Sequence, residues 1–259
     1  MSWIHITGSR GFIGTELRKA LSGYPINETA AAIDFSMLNG FSGTLIHLAA
    51  SISDVESYIN PAKYIDNNLK KLALLLTNNS FGKIIFPSSV TVYDDHGNLN
   101  PKTVYGITKL AAELLIKAYC KDYWILRITN PYGPNDTKSV FAKLKECKLE
   151  NKTFTIYNDP KSIKDFFPVE HIGNVVKSIL DGRITPGIYN VGSGIGTVVM
   201  RLLETLCQKH GIKYEYADPP DGLSIGYVPT ENLLTYEHRK VEDEWIKYLI
   251  KKKVVKEKV

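Results

Sequence analysis

The stretch Thr7-Gly8-Ser9-Arg10-Gly11-Phe12-Ile13-Gly14 decides how this chain is read. Before it lies Trp3-Ile4-His5-Ile6-Thr7, an apolar run with the character of a buried strand. After it, apolar residues recur at helical spacing over residues 12–21. Glycines at every third position join the two. Gly8 permits a tight bend, Gly11 lets a ligand approach bare backbone, and Gly14 lets the helix lie close on the strand. Backbone N–H groups of such a turn, those of Phe12 and Ile13 included, face a phosphate. The helix start adds roughly half a positive charge. A strand, this turn and a helix together predict a cradle for the pyrophosphate of a dinucleotide.

Outward from the turn, short apolar runs alternate with helical stretches. Strands are expected at 44–48, 83–86 and 123–128, and helices at 61–76, opened by Pro61, and at 104–119. Parallel strands need crossovers, so this succession predicts a parallel sheet with helices on both faces. The second half is less regular. It reads as a helix at 139–149, a strand at 154–157, an apolar run at 166–169, a helix at 170–180, a strand at 188–191 and a helix at 198–210. We expect residues 1–135 to form mainly a dinucleotide-binding domain. Residues 136–259 should form mainly a substrate lobe, interleaved with the last sheet strands at about 165–195. An acidic residue about 20 positions beyond the glycines, where it can grip the adenosine ribose, is Asp34, followed by Phe35. The segment between the first helix and residue 44 is short for two strands. Asp34 therefore ends the second strand and holds ribose, or lies one strand later and holds the adenine amino group. Asp34 favours NAD, whereas Arg10 could pair with the 2′-phosphate of NADP.

Composition sets the outer bounds. With 259 residues, 44% hydrophobic and 23% charged, the chain can bury a large core and is neither disordered nor fibrous. Its three cysteines are far apart in sequence, which argues against a disulfide framework and for a reducing compartment. No apolar run approaches the ~18–20 residues of a membrane span, and the opening strand leaves no room for a signal peptide. The net charge of +5 owes much to Lys251, Lys252, Lys253, Lys256 and Lys258, which lack the interleaved aromatics of a nucleic-acid surface. The six histidines show no metal-ligand spacing. His47 reads as a core residue, and His171, after Glu170, as one that helps cap a helix start.

Tyr105 and Lys109 are four apart at the start of a helix and so share one face. A phenol with a reference pKa of ~10 is a poor base at neutral pH. A neighbouring ammonium and an oxidised nicotinamide would favour its phenolate. Tyr105 could then take a hydroxyl proton while hydride leaves the same carbon. Ser88-Ser89 ends the strand from residue 83, at the edge where ligands bind in parallel sheets.

With these motifs in order, the chain resembles the extended short-chain dehydrogenase/reductases, the NAD-dependent epimerase/dehydratase family acting on nucleotide sugars. The likeness rests on the glycine turn, then His47-Leu48-Ala49-Ala50, Tyr64-Ile65-Asp66-Asn67-Asn68-Leu69, Pro87-Ser88-Ser89-Val90-Thr91-Val92-Tyr93 and Tyr105-Gly106-Ile107-Thr108-Lys109. It continues in Arg127-Ile128-Thr129-Asn130-Pro131-Tyr132-Gly133-Pro134, Asp165-Phe166-Phe167-Pro168-Val169 and Tyr189-Asn190-Val191-Gly192-Ser193-Gly194. It implies a Rossmann-like doubly wound parallel sheet with a small C-terminal lobe. It also implies a triad of Ser89, Tyr105 and Lys109, a cofactor passing Leu48, Ala49, Ala50, Asn68 and Pro131, and sugar-nucleotide phosphates held by Asn130.

Two departures narrow the chemistry. Val90 and Thr91 stand where family dehydratases carry an Asp-Glu pair after the Ser, which disfavours a dehydratase. Lys164 replaces the usual arginine before Asp-Phe, and an ammonium lacks the two-pronged phosphate grip of a guanidinium. The reading is a nucleotide-sugar 4-epimerase that keeps its NAD. An NADPH-dependent 4-ketoreductase is the alternative, and a non-catalytic dinucleotide sensor a more distant rival. The family also suggests a cytoplasmic homodimer joined through the helices at 61–76 and 104–119. No nucleic-acid, membrane or metal partner is expected.

Overall fold

A computed structural model of the chain describes residues 3–29, 39–219 and 227–235, together with Val241 and Trp245. The strands are β1 (Ile4–Thr7), β2 (Ile26–Thr29), β3 (Ser42–His47), β4 (Ser80–Ser89), β5 (Asp122–Ile128), β6 (Asn130–Tyr132), β7 (Phe154–Tyr157), β8 (Ile163–Lys164), β9 (Phe166–Pro168), β10 (Gly187–Gly192), β11 (Thr197–Val198), β12 (Tyr214–Ala217) and β13 (Leu233–Thr235). The helices are α1 (Phe12–Ala20), α2 (Asp54–Ile59), α3 (Pro61–Ile65), α4 (Lys71–Thr77), α5 (Val104–Tyr119), α6 (Val140–Glu150), α7 (Glu170–Leu180) and α8 (Val199–His210). Seven strands form one sheet in the order β13-β10-β5-β4-β3-β1-β2, parallel throughout.

Side chains alternate across each strand, and both faces are buried. Ile85 of β4 and Ile46 of β3 join Ile4 and Ile6 of β1 under α1 and α7, through Leu17, Ile172, Val176 and Ile179. The residues beside them, Ile84 and Phe86 of β4 and Leu45 of β3, point the other way. They pack under α4 and α5, against Leu72, Leu75, Leu76, Ala112 and Ile116. A third core lies outside the sheet, where Phe141 and Leu144 of α6, Phe154 and Ile156 of β7, Phe166 of β9 and Leu202 and Leu206 of α8 enclose Trp245.

Three details differ from expectation. The helix expected at 61–76 is α3 and α4 joined through a π turn at Asp66–Lys70, with α2 as a separate helix before it. The second strand is Ile26–Thr29, before the alanine run, and Asp34 and Phe35 lie outside the described residues. His171 does not mark a side-chain cap. The start of α7 has none, and His171 Nε2 meets the Leu234 carbonyl at 3.0 Å, tying α7 to β13. The lysine-rich end of the chain is also outside the described residues. No described helix is long and apolar enough to cross a membrane. All three cysteines are buried and free.

Candidate active site

The glycine turn lies at the C-terminal edge of β1. Gly8 adopts φ +72°, and a Cβ there would come within 2.8 Å of the Ala49 nitrogen, so the turn rests on the backbone after β3. A Cβ on Gly14 would meet the Gly8 carbonyl oxygen at 2.4 Å, which is why α1 can begin so close to the strand. Gly11 N–H closes the turn on the Gly8 carbonyl at 3.0 Å. A Cβ on Gly11 would meet only that same carbonyl, at 3.3 Å, and its other sides are open. No side chain caps α1 and no acidic residue occupies its first turn. This is a bare, positively polarised helix start with space before it, which fits a dinucleotide pyrophosphate. Phe12 and Ile13 lie half-buried in that first turn and Arg10 is exposed beside it.

Ala49 and Ala50 continue from β3 past the turn. His47 before them is buried and paired with Thr7 Oγ1 through Nδ1 at 2.8 Å. Burial, helped by the Lys109 charge, drives its pKa down to about 3, so it is a neutral core residue. Asn68 occupies the π turn and spends its amide within the protein. It accepts from Ser51 N–H at 2.8 Å and donates to the Ser51 carbonyl and to Thr108 Oγ1. Its placement is therefore one of holding the loop after Leu48-Ala49-Ala50 against α5.

β4 runs on to Ser89, whose hydroxyl accepts from Thr91 N–H at 3.2 Å and caps a short 3₁₀ turn at Val90–Val92. α5 starts against that turn. Thr103 Oγ1 accepts from Gly106 N–H at 3.0 Å, and a Cβ on Gly106 would fall 2.3 Å from the Thr91 carbonyl oxygen. The missing side chain thus lets the start of α5, with Tyr105, approach the turn that Ser89 caps. Burial pushes the Tyr105 phenol up from its ordinary value, and the negative charge of Asp54 adds to this. The nearby Ser89 hydroxyl opposes them. Lys109, expected with an oxidised nicotinamide to favour the phenolate, is not among the groups that shift the phenol here. Lys109 instead points beneath the strand end, where Nζ donates to the Pro87 carbonyl at 2.6 Å and lies 4.4 Å from the Phe86 ring centre. Burial lowers it to about 8, against the supporting charge of Glu113.

Glu113 is one turn further along α5 and anchors this group. Its carboxylate accepts from Ser88 Oγ at 2.5 Å and from Arg127 Nη2 and Nε at 2.6 and 3.1 Å. Arg127 Nη1 also donates to Tyr93 Oη at 2.8 Å, and that hydroxyl donates to Asn190. Glu113 does not stand out in the sequence, although it lies four residues after Lys109 on the same helical face, and Arg127 enters it only as the first residue of a motif.

Beyond the end of β5, a cleft of about 350 Å³ opens among the elements of the third core. Asn130, Pro131 and Lys164 all line it, as do Lys143, Tyr157, Asp159 and Met200, which the sequence did not single out. Asn130 donates through both backbone and side chain to the Asp165 carbonyl at 3.0 Å. The buried Asp165 carboxylate in turn accepts from the backbone amides of Ser193 and Gly194, so one acid ties the start of β9 to the turn after β10. Among the described residues, no three His, Cys, Asp or Glu side chains gather as a metal site.

Known proteins resemble this arrangement. A protein of Methanocaldococcus jannaschii provisionally named a UDP-glucose 4-epimerase is 29% identical over 69% of this chain and 65% of its own length. A dTDP-D-glucose 4,6-dehydratase of Dictyostelium discoideum is 28% identical over 58% of this chain and 41% of its own length. The chain thus spans less than two thirds of either relative. Among solved structures, a UDP-N-acetylglucosamine 4-epimerase of Methanobrevibacter ruminantium, in complex with UDP-N-acetylmuramic acid, superposes with a TM-score of 0.78 at 25% identity. That match covers 96% of both chains. A profile of the NAD dependent epimerase/dehydratase family matches residues 30–192, more than half of the sequence, and the chain belongs to that family.

Proposed function

We propose that the protein is a nucleotide-sugar 4-epimerase with NAD as its cofactor, acting through Ser89, Tyr105 and Lys109. The observation that carries this reading is the placement of Tyr105, at the start of α5, beside Ser89 at the C-terminal edge of the sheet, with Lys109 one turn behind it. In this reading residues 1–135 mainly bind the dinucleotide and residues 136–259 mainly the sugar nucleotide.

The glycine turn with Arg10, Phe12 and Ile13 would hold the pyrophosphate. Asp34, Phe35, Leu48, Ala49, Ala50, Asn68 and Pro131 would complete the cofactor groove. Bound NAD supplies a hydride acceptor at the sugar carbon, a donor for the return step, and a positive ring charge. Tyr105 takes the C4 hydroxyl proton and gives it back on the opposite face. Ser89 holds the same oxygen, and its nearby hydroxyl opposes the upward pressure on the phenol. Lys109 provides a fixed positive charge below the phenol. Asn130 and Lys164 face the sugar-nucleotide phosphates.

Val90 and Thr91 after Ser89 lack the acid and base that water elimination needs, which supports an epimerase over a dehydratase. Exposed Val55, Ile59, Ile65, Ile107 and Leu114 on α2, α3 and α5 support a homodimer through that face, which light scattering would count. Leu72 and Leu76 are committed to the protein's own core. A cytoplasmic role in carbohydrate biosynthesis fits the same reading.

The test is to release and identify the dinucleotide bound to purified protein, then assay UDP-hexoses. We expect retained NAD, epimerisation without added cofactor, and loss of turnover with retained NAD in Tyr105→Phe. Empty protein that consumes NADPH with a 4-keto sugar nucleotide would replace this reading with a reductase. Full activity in Tyr105→Phe would remove the mechanism.

A further inference from the structure

Ser89 ends β4, half-buried at the C-terminal edge of the sheet. A hydroxyl has two acceptor positions and one proton to give. One residue takes both acceptor positions of Ser89. Thr91 donates to Ser89 Oγ through its N–H at 3.2 Å and through its own hydroxyl at 3.0 Å. The capacity left to Ser89 is to donate, and the Tyr105 phenol stands beside it. The preceding Ser88 is committed elsewhere, with its proton on the buried Glu113 carboxylate. Thr91 is itself firmly placed. Tyr93 N–H closes the 3₁₀ turn on the Val90 carbonyl at 3.0 Å. On its other side the Thr91 carbonyl fills the space where Gly106 lacks a side chain, so the turn bears directly on the start of α5. The threonine side chain is β-branched and stiff about its first torsion, which helps to keep its hydroxyl on Ser89.

We propose that Thr91 is a positioning residue for the reaction: by filling both acceptor positions of Ser89, it commits that hydroxyl to donate its proton to the sugar oxygen on which Tyr105 acts. This rests on the nucleotide-sugar 4-epimerase reading and adds to it a direction for the Ser89 proton and the residue that sets it. The direction matters because the sugar oxygen gains negative charge as its proton leaves for Tyr105. A donor already aimed at that oxygen binds more strongly in the transition state than in the ground state, which speeds the step rather than merely tightening binding. Hydroxyls in series polarise one another, so the Thr91 hydroxyl also strengthens the bond that Ser89 gives. A carboxylate at position 91 could only accept, and would draw the Ser89 proton back toward itself.

The experiment measures kcat and KM for UDP-hexose epimerisation in the wild type, Thr91→Val, Thr91→Ser, Ser89→Ala and the Ser89→Ala/Thr91→Val double variant. Valine keeps the shape of threonine and the backbone N–H bond, and deletes the hydroxyl. We expect Thr91→Val to lower kcat about tenfold, the loss of one hydrogen bond of ordinary strength, with KM within about twofold of the wild type. Thr91→Ser, which restores a hydroxyl, should recover kcat to within about threefold of the wild type. Ser89→Ala should lower kcat at least as much as Thr91→Val. Adding Thr91→Val to it should change kcat by less than about twofold, because Thr91 acts through Ser89. Thermal melting reports whether each variant folds, and Thr91→Ala replaces Thr91→Val with the same expectations if valine is not accommodated. Full kcat in the folded Thr91 variant would overturn the assignment. So would equal losses in Thr91→Val and Thr91→Ser, a loss confined to KM, or losses that multiply in the double variant. A wild type that converts no UDP-hexose refutes the 4-epimerase reading itself, and the role of Thr91 falls with it.

Discussion

Arg127→Met is the sharpest test of how the site is held. The Glu113 side chain is 2% exposed and Arg127 9%, so neither charge has water to fall back on. The substitution keeps the length and much of the volume of the stem but deletes three guanidinium contacts at 2.6, 3.1 and 3.3 Å, and the bond to Tyr93. Glu113 is then left with the Ser88 hydroxyl as its hydrogen-bond partner. Stranding one member of a buried pair costs about 3–5 kcal/mol. For a chain of this size that is a fall of roughly 6–20 °C in Tm. Adding Glu113→Gln removes the stranded charge, so the double variant should recover more than half of the loss. The Tyr93 bond is missing from both and cancels in the comparison. Urea unfolding followed by circular dichroism and by tryptophan fluorescence measures each step. A loss under about 1 kcal/mol for Arg127→Met, or a double variant no better than the single, would refute the view that this pair fastens α5 to the ends of β4 and β5.

Gly14→Ala places a methyl 2.4 Å from the Gly8 carbonyl and 2.7 Å from Ser9 backbone, and backbone cannot rotate away. α1 must back off the turn at a cost of about 1–3 kcal/mol. NADH affinity measured by fluorescence should fall at least about tenfold, and an unchanged affinity would show that the turn is not the cradle. His47 predicts acid sensitivity. Its folded pKa of about 3 lies below the usual 6.5, so the unfolded chain binds the extra proton between these values. Stability is complete above pH ~6.5 and drains as pH falls toward 3, by roughly 4–5 kcal/mol in all. His47→Gln should flatten this part of the pH–stability curve, and parallel curves would disprove it.

The glycine turn, the alternation of strands and helices, and the run of motifs in order were enough to read a parallel doubly wound sheet and the family. These features are local. Periods of two and 3.6 residues, and glycines where a Cβ collides with backbone, are written in consecutive residues. The edges of the second half were also legible, because α6 and α8 carry their own apolar faces.

What remained for the tertiary structure depends on residues far apart in sequence. The buried tie between Glu113 and Arg127 joins a helix to the strand after it, and the Asp165 carboxylate gathers Ser193 and Gly194 from nearly thirty residues away. Asp54 meets Thr103 only because α2 lies over α5. The environment of Tyr105 depends on the fold for the same reason. Helical spacing places Lys109 on its face, but burial and the Asp54 charge decide the direction of the shift, and both exist only once the chain has folded. Spacing determines which side chains can meet, whereas solvation and long-range neighbours determine what they do when they are there.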